Sequence, residues 1–304
     1  MSSQIQLWGR SIYAFVMGAL PARMSVCLQF YRHHHRWPKL KNPQTFSEMI
    51  QEKKFSSEDG VLSNLADKAA VKYYIAERLG GDWVVPTLWV GKDLPPLKDR
   101  NWEVPFVIKT THSSGTNIFI RDESDLQWDI IEKKVQLWLS GSGQTPGHLA
   151  EYHYKKIPPR VIIEPYIGRG RTLPVDYKFF CFDGHVALIQ VDLGRSEQHT
   201  RALFDTEWNR LEARLKYPSP PTTMDIPRPE TFAELLDAAR LISKGFDFVR
   251  VDFYEFEGQP LVGELTFFPG SGFERFYPRS LDIDLGKRWV TSQNNLVGRI
   301  QVDS

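Results

Sequence analysis

The stretch VRVDFYEFEGQPLVGELTFFPGSG, residues 249–272, carries reactive side chains at a two-residue spacing. Arg250, Asp252, Tyr254 and Phe256 alternate along one predicted strand. Glu264 and Thr266 sit in a second strand that is otherwise apolar. Alternate residues of a strand share a face. Whether the acid of one arm meets the acid of the other depends on register. If Phe256 pairs with Leu261, Asp252 and Glu264 point to opposite faces. If Glu257-Gly258-Gln259 form a three-residue loop with a bulge, Asp252 lies opposite Glu264 and Arg250 opposite Thr266. The sequence allows both registers, and we expect the odd-numbered loop. Two carboxylates so placed, ~5 Å apart at Cβ, repel unless compensated. Mg²⁺ compensates well, because it takes oxygen ligands and keeps waters and phosphates in its shell. The plainer reading is a solvated polar face in which Arg250 neutralises the acids.

Other polar residues punctuate apolar runs. Lys109 follows Phe106-Val107-Ile108 and precedes the turn TTHSSGTN. A lysine there suits phosphate oxygens, and a flexible turn lends backbone N–H groups. Lys68 lies in ADKAAVK, Glu164 ends the run VII, and Asp176 and Lys178 alternate in VDYKFF. Each has an ordinary structural reading: a hairpin end, a solvated helix lysine, a strand terminus. The chain lacks a glycine loop ending Gly-Lys-Ser/Thr, the His-Arg-Asp and Asp-Phe-Gly pair of protein kinases, and a Gly-x-Gly-x-x-Gly turn.

The elements that must position these residues read as mixed α and β. The chain has 304 residues, enough for two lobes, and its 41% hydrophobic content supports a sizeable core. The 38 basic and 37 acidic side chains nearly cancel, which gives no reason to expect nucleic acid as a partner. Cys27 and Cys181 have no metal-ligand spacing, and a reducing cytoplasm fits them. NPQTFSEMIQEKKF opens with a capping box, Thr45 to Glu48. NLADKAAVKYYIAERLG reads as one helix, VVPTLWVG as a short strand, and PFVIKTTHSSGTNIFIR as strand, turn, strand. DLQWDIIEKKVQLWLS and ETFAELLDAARLISKGF read as helices. RVIIEPYIG is a strand, and VDYKFFCFDGHVALIQVDLG is a hairpin turning at Asp183-Gly184. Residues 215–230 are a proline-rich loop. Hairpins without steady βαβ alternation predict antiparallel sheets, an α+β fold.

Near the start, Ile5, Trp8, Ile12, Phe15 and Val16 recur at helical spacing. Arg10, Pro21 and Arg23 break the run, so it does not reach the ~20 apolar residues of a membrane span. The stripe reads as a helix packed on the body. The alternative is peripheral membrane contact through residues 5–41, aided by Arg32, Arg36, Lys39 and Lys41. The consecutive His33, His34 and His35 read as solvated surface.

In order, Asp67-Lys68, Lys109 with its Ser/Gly turn, Glu164-Pro-Tyr-Ile, Asp176-Tyr-Lys178, Arg250-Val-Asp252 and Glu264-x-Thr266 with FPGSG resemble the ATP-grasp superfamily. The blocks NPQTFSEMIQ, ADKAAVKYYI, VDYKFFCFDG, FVRVDFY and GELTFFPGSG are similar to the branch related to the teichuronopeptide biosynthesis protein TupA. The resemblance covers roughly residues 40–290. It implies two α+β lobes that clamp ATP: a helical segment over 1–65, a small lobe over 66–165 and a large lobe over 166–304. It implies that Lys68 and Lys109 hold the α- and β-phosphates under Ser113, Ser114 and Gly115. Glu164, Pro165 and Tyr166 would meet the adenine, Asp176 the ribose, and Lys178 the phosphates. Asp252, Glu264 and Thr266 would bind Mg²⁺, with Thr266 where many members carry Asn. Arg250 would face the transferred phosphoryl group. The implied activity is an ATP-dependent carboxylate–amine ligase acting through an acyl-phosphate on a sugar acid of a surface polysaccharide. The alternatives are a phosphotransferase acting on a hydroxyl, or a nucleotide-binding partner of a glycosyltransferase.

Overall fold

The computed structural model describes residue 13 and residues 16–56, 60–142, 149–194 and 198–302. Helix α1 (Ala22–His34) starts after Pro21 and buries Ser25, Val26, Gln29, Phe30 and His34, while Met24 and Tyr31 stay exposed. The spacing of the buried set is that of one helix face packed on the body. Of the predicted apolar stripe, Ile5, Trp8, Ile12 and Phe15 lie outside the described residues, and Val16 is exposed. Arg36 is not free for a membrane surface, since it pairs with Glu48 and lies 3.7 Å from Asp282. The histidine run corrects its expectation in part. His34 is buried, stacks on Phe30, and places Nε2 3.1 Å from the Gly272 carbonyl. Burial pushes its pKa down to about 4. Among the described residues no helix is long and apolar enough to cross a membrane.

Helix α2 (Phe46–Ser56) begins on the predicted capping box. The Glu48 N–H donates to Thr45 Oγ1 at 3.3 Å, and the Thr45 N–H to Glu48 Oε2 at 3.2 Å. The next predicted helix is instead two, α3 (Gly60–Ala66) and α4 (Ala70–Leu79). Asp67 causes the break, because its Oδ1 accepts the N–H groups of Ala69 and Ala70 and starts a new helix. The break also frees the Lys68 N–H to donate to the Thr111 carbonyl at 3.1 Å.

Two larger antiparallel sheets follow. The first is ordered β1-β4-β2-β3, from Trp89–Gly91, Val161–Pro165, Phe106–Thr110 and Asn117–Ile120. Of VVPTLWVG, only the end is strand. Phe106, Ile108, Ile120, Val161 and Ile163 meet Ile131 and Val135 of α5 (Trp128–Leu137) in a small core. A short helix, α6 (Tyr152–Lys155), precedes β4.

The second sheet is ordered β10-β9-β5-β6-β7, from Gln259–Thr266, Val249–Phe256, Asp176–Phe182, His185–Leu193 and Thr200–Phe204. One face, with Phe179, Val251 and Phe253, joins α7 (Phe232–Ser243) in the main core. The other face is divided. Phe180, Phe182 and Phe248 pack with Phe46 of α2 and Trp289 of α8 (Arg279–Val302). Beyond them the same alternation presents Lys178, Arg250 and Asp252. Helices α2 to α4 share this core, so the packing crosses the expected boundary at residue 65. A small pair of strands, β8 (Arg214–Leu215) and β11 (Phe276–Tyr277), completes the α+β fold.

Candidate active site

The hairpin brings its acids together by a route the sequence reading missed. Phe256 pairs with Gln259, so the turn is the two residues Glu257-Gly258, both at positive φ. That is a two-residue turn matched to strand twist. A bulge at Gly263 then adds one residue, and Glu264 pairs with Asp252, Thr266 with Arg250. A Cβ on Gly263 would stand 2.5 Å from Tyr254 Cε2, so the bulge accommodates that ring only with glycine. The three-residue loop is thus corrected, while the opposition of Asp252 and Glu264 is what the structure has.

Around Asp252 the charges are closely paired. Arg250 donates to it twice, Nε to Oδ1 and Nη2 to Oδ2, each at 2.6 Å. Lys178, directly opposite on β5, donates to Asp252 Oδ2 at 2.9 Å and also pairs with Asp176. Arg250 Nη2 reaches Thr266 Oγ1 at 3.1 Å and lies 3.7 Å from Glu264 Oε1. Burial works to raise the Asp252 pKa, but Arg250 and Lys178 outweigh it and hold the carboxyl below its ordinary value. Burial likewise works to lower Lys178, and Asp252 and Asp176 reverse it. Glu264 differs, being 42% exposed at its side chain. An exposed carboxylate, a buried one opposite and a hydroxyl form an all-oxygen donor set that fits Mg²⁺. Among the described residues, no group of three or more His, Cys, Asp or Glu is placed to hold a metal. Water and phosphate oxygens would have to complete the shell.

A cleft of about 380 Å³ runs from this face to the four-stranded sheet. Lys68, Lys109, Ser114, Gly115, Glu164, Pro165, Tyr166, Asp176, Lys178 and Glu264 all line it. On β2 and β4, alternation sends Phe106, Ile108 and Ile163 to the core and leaves Lys109 and Glu164 on the cleft face as diagonal neighbours. Lys109 Nζ donates to Glu164 Oε2 at 2.6 Å. Lys72, which the sequence reading passed over, pairs with the other carboxylate oxygen. The signal for it was a second lysine four residues after Lys68, and both line the cleft although α4 starts only at Ala70. Burial pushes Lys68 and Lys72 below their ordinary pKa values. Burial works to raise Glu164, and Lys109 and Lys72 overcome it and lower it.

Several expected roles meet a different setting. Glu164 is committed to two lysines, and the Tyr166 N–H already donates to the Pro105 carbonyl at 3.1 Å. Asp176 is fully buried and paired with Lys178. Ser113 is also fully buried, does not line the cleft, and gives its carbonyl to Lys68. Ser114 and Gly115 do line it.

A second, larger cleft of about 810 Å³ adjoins the first, and Lys68, Ser114 and Glu264 line both. Arg250, Thr266, Glu151, Tyr154 and Ser271 open onto it. Ser271 is held from below, since Lys54 Nζ donates to its carbonyl at 2.9 Å and to its Oγ at 2.8 Å.

A family model described as TupA-like ATPgrasp matches residues 48–290. No curated protein matches the chain. Solved structures to which the chain is similar include a D-alanine–D-alanine ligase from Bacillus anthracis, 17% identical, covering 79% of this chain and 69% of its own, with a TM-score of 0.45. An L-amino acid ligase from Bacillus licheniformis is 14% identical over 74% of this chain and 49% of its own, with a TM-score of 0.42. The ATP-grasp ligase PsnB, complexed with minimal precursor, is 14% identical over 74% of this chain and 62% of its own, with a TM-score of 0.40. The family match spans most of the chain and includes every polar residue of the first cleft: the chain belongs to the TupA-like ATP-grasp family and carries the ATP-grasp fold.

Proposed function

We propose that the protein is an ATP-dependent carboxylate–amine ligase whose first cleft takes ATP and whose larger cleft takes the acceptor acid. One observation carries the reading: Lys68, Ser114 and Glu264 line both clefts. Phosphates held by Lys68, Lys72 and Lys109 would therefore end where the acceptor begins. The acceptor carboxylate attacks the γ-phosphorus, the bond to the bridging oxygen breaks, and ADP leaves. The amine then attacks the acyl carbon, inorganic phosphate departs, and the amine's proton goes with it as the amide forms. The protein's part is positioning and charge neutralisation, and no nucleophilic side chain is needed.

Asp252, Glu264 and Thr266 would hold Mg²⁺, which supplies charge neutralisation on the phosphates. Arg250 lies on the acceptor side of these residues and suits the oxygens that gain charge in the transition state. Lys178 fixes Asp252 and balances its charge. That the acid is a sugar acid of a surface polysaccharide rests on the TupA resemblance alone.

The test is ADP release across sugar acids paired with amines. A ligase yields ADP, free phosphate and an amide. ADP with a phosphorylated acceptor would replace this reading with a kinase. Lys109→Ala is expected to weaken binding of a non-hydrolysable ATP analogue by tenfold or more, and unchanged affinity removes Lys109 from the phosphate site.

A further inference from the structure

We propose that the strand pair β8/β11 is a recognition platform for an anionic group of the acceptor, one the reaction does not consume. The proposal rests on the larger cleft being the acceptor site. Leu215 and Phe276 pair with each other and are buried, which anchors the platform. Arg214 lies directly opposite Tyr277, and its guanidinium stands 4.5 Å from the centre of that ring. Arg275 stands 4.7 Å from the same ring. Two guanidinium groups are therefore held by one aromatic side chain, in a pose that costs little further ordering when a ligand arrives.

Arg275, Tyr277 and Lys216 line the larger cleft. Among the described residues, neither Arg214 nor Arg275 has a carboxylate partner. Of the other cations lining the cleft, Arg250 pairs with Asp252 and Lys216 with Glu274, while Lys68 lies where the cleft joins the first one and donates to the Ser113 carbonyl. Glu274, beside Arg275 in sequence, is taken by Arg201 at 2.9 Å and Lys216 at 3.0 Å. Arg275 thus faces the cleft without a carboxylate, and Arg214 stands beside it on the Tyr277 ring that lines the cleft. Guanidinium matches the two oxygens of a carboxylate or phosphate with paired N–H donors. The acceptor class that satisfies this is an oligomer with further carboxylates or phosphates along its length.

Calorimetry on the full chain tests it with three probes: a uronate trisaccharide, a neutral trisaccharide of the same linkage, and a glycerol phosphate trimer. One of the two anionic probes is expected to bind at least tenfold tighter than the neutral one, and which one does so identifies the anion. The double variant Arg214→Gln, Arg275→Gln is expected to lose that margin, with an unchanged melting temperature and unchanged affinity for an ATP analogue. Equal binding of acidic and neutral probes, no binding of any, or a margin that survives the double variant overturns the proposal. Failure of the wild type to bind the ATP analogue would bring down the ligase reading alone, because the acidic margin is measured without nucleotide.

Discussion

The two charged groups flanking the first cleft are built in opposite ways. On the side of the four-stranded sheet, Lys72 and Lys109 share one paired acid, Glu164, and Lys68 feels Glu264 and Glu164 without an ion pair to either among the described residues. On the side of the five-stranded sheet, Lys178 and Arg250 face Asp176 and Asp252, two cations to two buried acids. The pKa directions follow that difference. Burial lowers Lys68 and Lys72, whereas acid partners overcome burial and raise Lys178 and Arg250. One side is short of negative charge and gains from an incoming polyanion. The other is already balanced and keeps its shape without one.

If the second side is a closed network, breaking it should cost most. Asp252→Asn leaves Arg250 and Lys178 short of charge inside the protein. Removing one partner of a buried ion pair costs ~3–5 kcal/mol, which denaturant unfolding would measure. A loss below ~1 kcal/mol would mean that water enters the network and that the contrast between the two sides is false. Gly263→Ala attacks the same side through its backbone. The added methyl meets the Tyr254 ring, and overpacking of this kind costs ~1–3 kcal/mol. Activity should fall further than stability, because the bulge sets where Glu264 stands. Full activity in that variant would show that the hairpin register is not needed.

The open side should respond in the other currency. Lys72→Met removes a desolvated cation and keeps its apolar stem, so unfolding free energy should shift by less than ~1 kcal/mol. Affinity for an ATP analogue should fall about tenfold, or ~1.4 kcal/mol. A large stability loss with unchanged affinity would make Lys72 a structural partner of Glu164.

Much of this was legible in the sequence where alternation and spacing are local. The strands carrying Lys109 and Glu164 follow from apolar runs that end in a charge, the strand carrying Asp176 and Lys178 from their alternation in VDYKFF, and the family from the order of the blocks. The register of the acids was legible only as a pair of options, because a bulge at Gly263 depends on the ring of Tyr254 across the strand. The break at Asp67 was missed because helical periodicity runs on through it, and only the side-chain bonds to Ala69 and Ala70 reveal the restart. His34 lies in a run that looks solvated, yet its helix turns that one ring inward toward Gly272. Contacts across the fold decided the bulge and the histidine, whereas the restart at Asp67 is a local cap that the continuing helical periodicity hides.

The smallest effect we expect is also the one that reads the open side most directly. Glu164→Gln keeps an acceptor for Lys109 and Lys72 but removes the charge. Lys109 is a quarter exposed at its side chain, so solvent replaces part of what is lost. The cost at pH 7 should be about 1 kcal/mol, that of a charge-assisted hydrogen bond made neutral. The sign of its pH dependence follows from the depressed folded-state pKa. A carboxyl lower in the folded than in the unfolded chain adds stability that is fully present above the unfolded value, 4.5, and is lost as pH falls through the folded one. Wild type and variant should therefore differ at pH 7 and converge as the pH drops below 4.5. The nucleotide should respond in the opposite sense to stability. With the acid shared by Lys72 and Lys109 made neutral, the lysine group attracts phosphates more strongly, so affinity for an ATP analogue should hold or rise. A fall would mean that the Glu164 carboxylate itself touches the nucleotide, and the lysine group would then be no more than a scaffold for it.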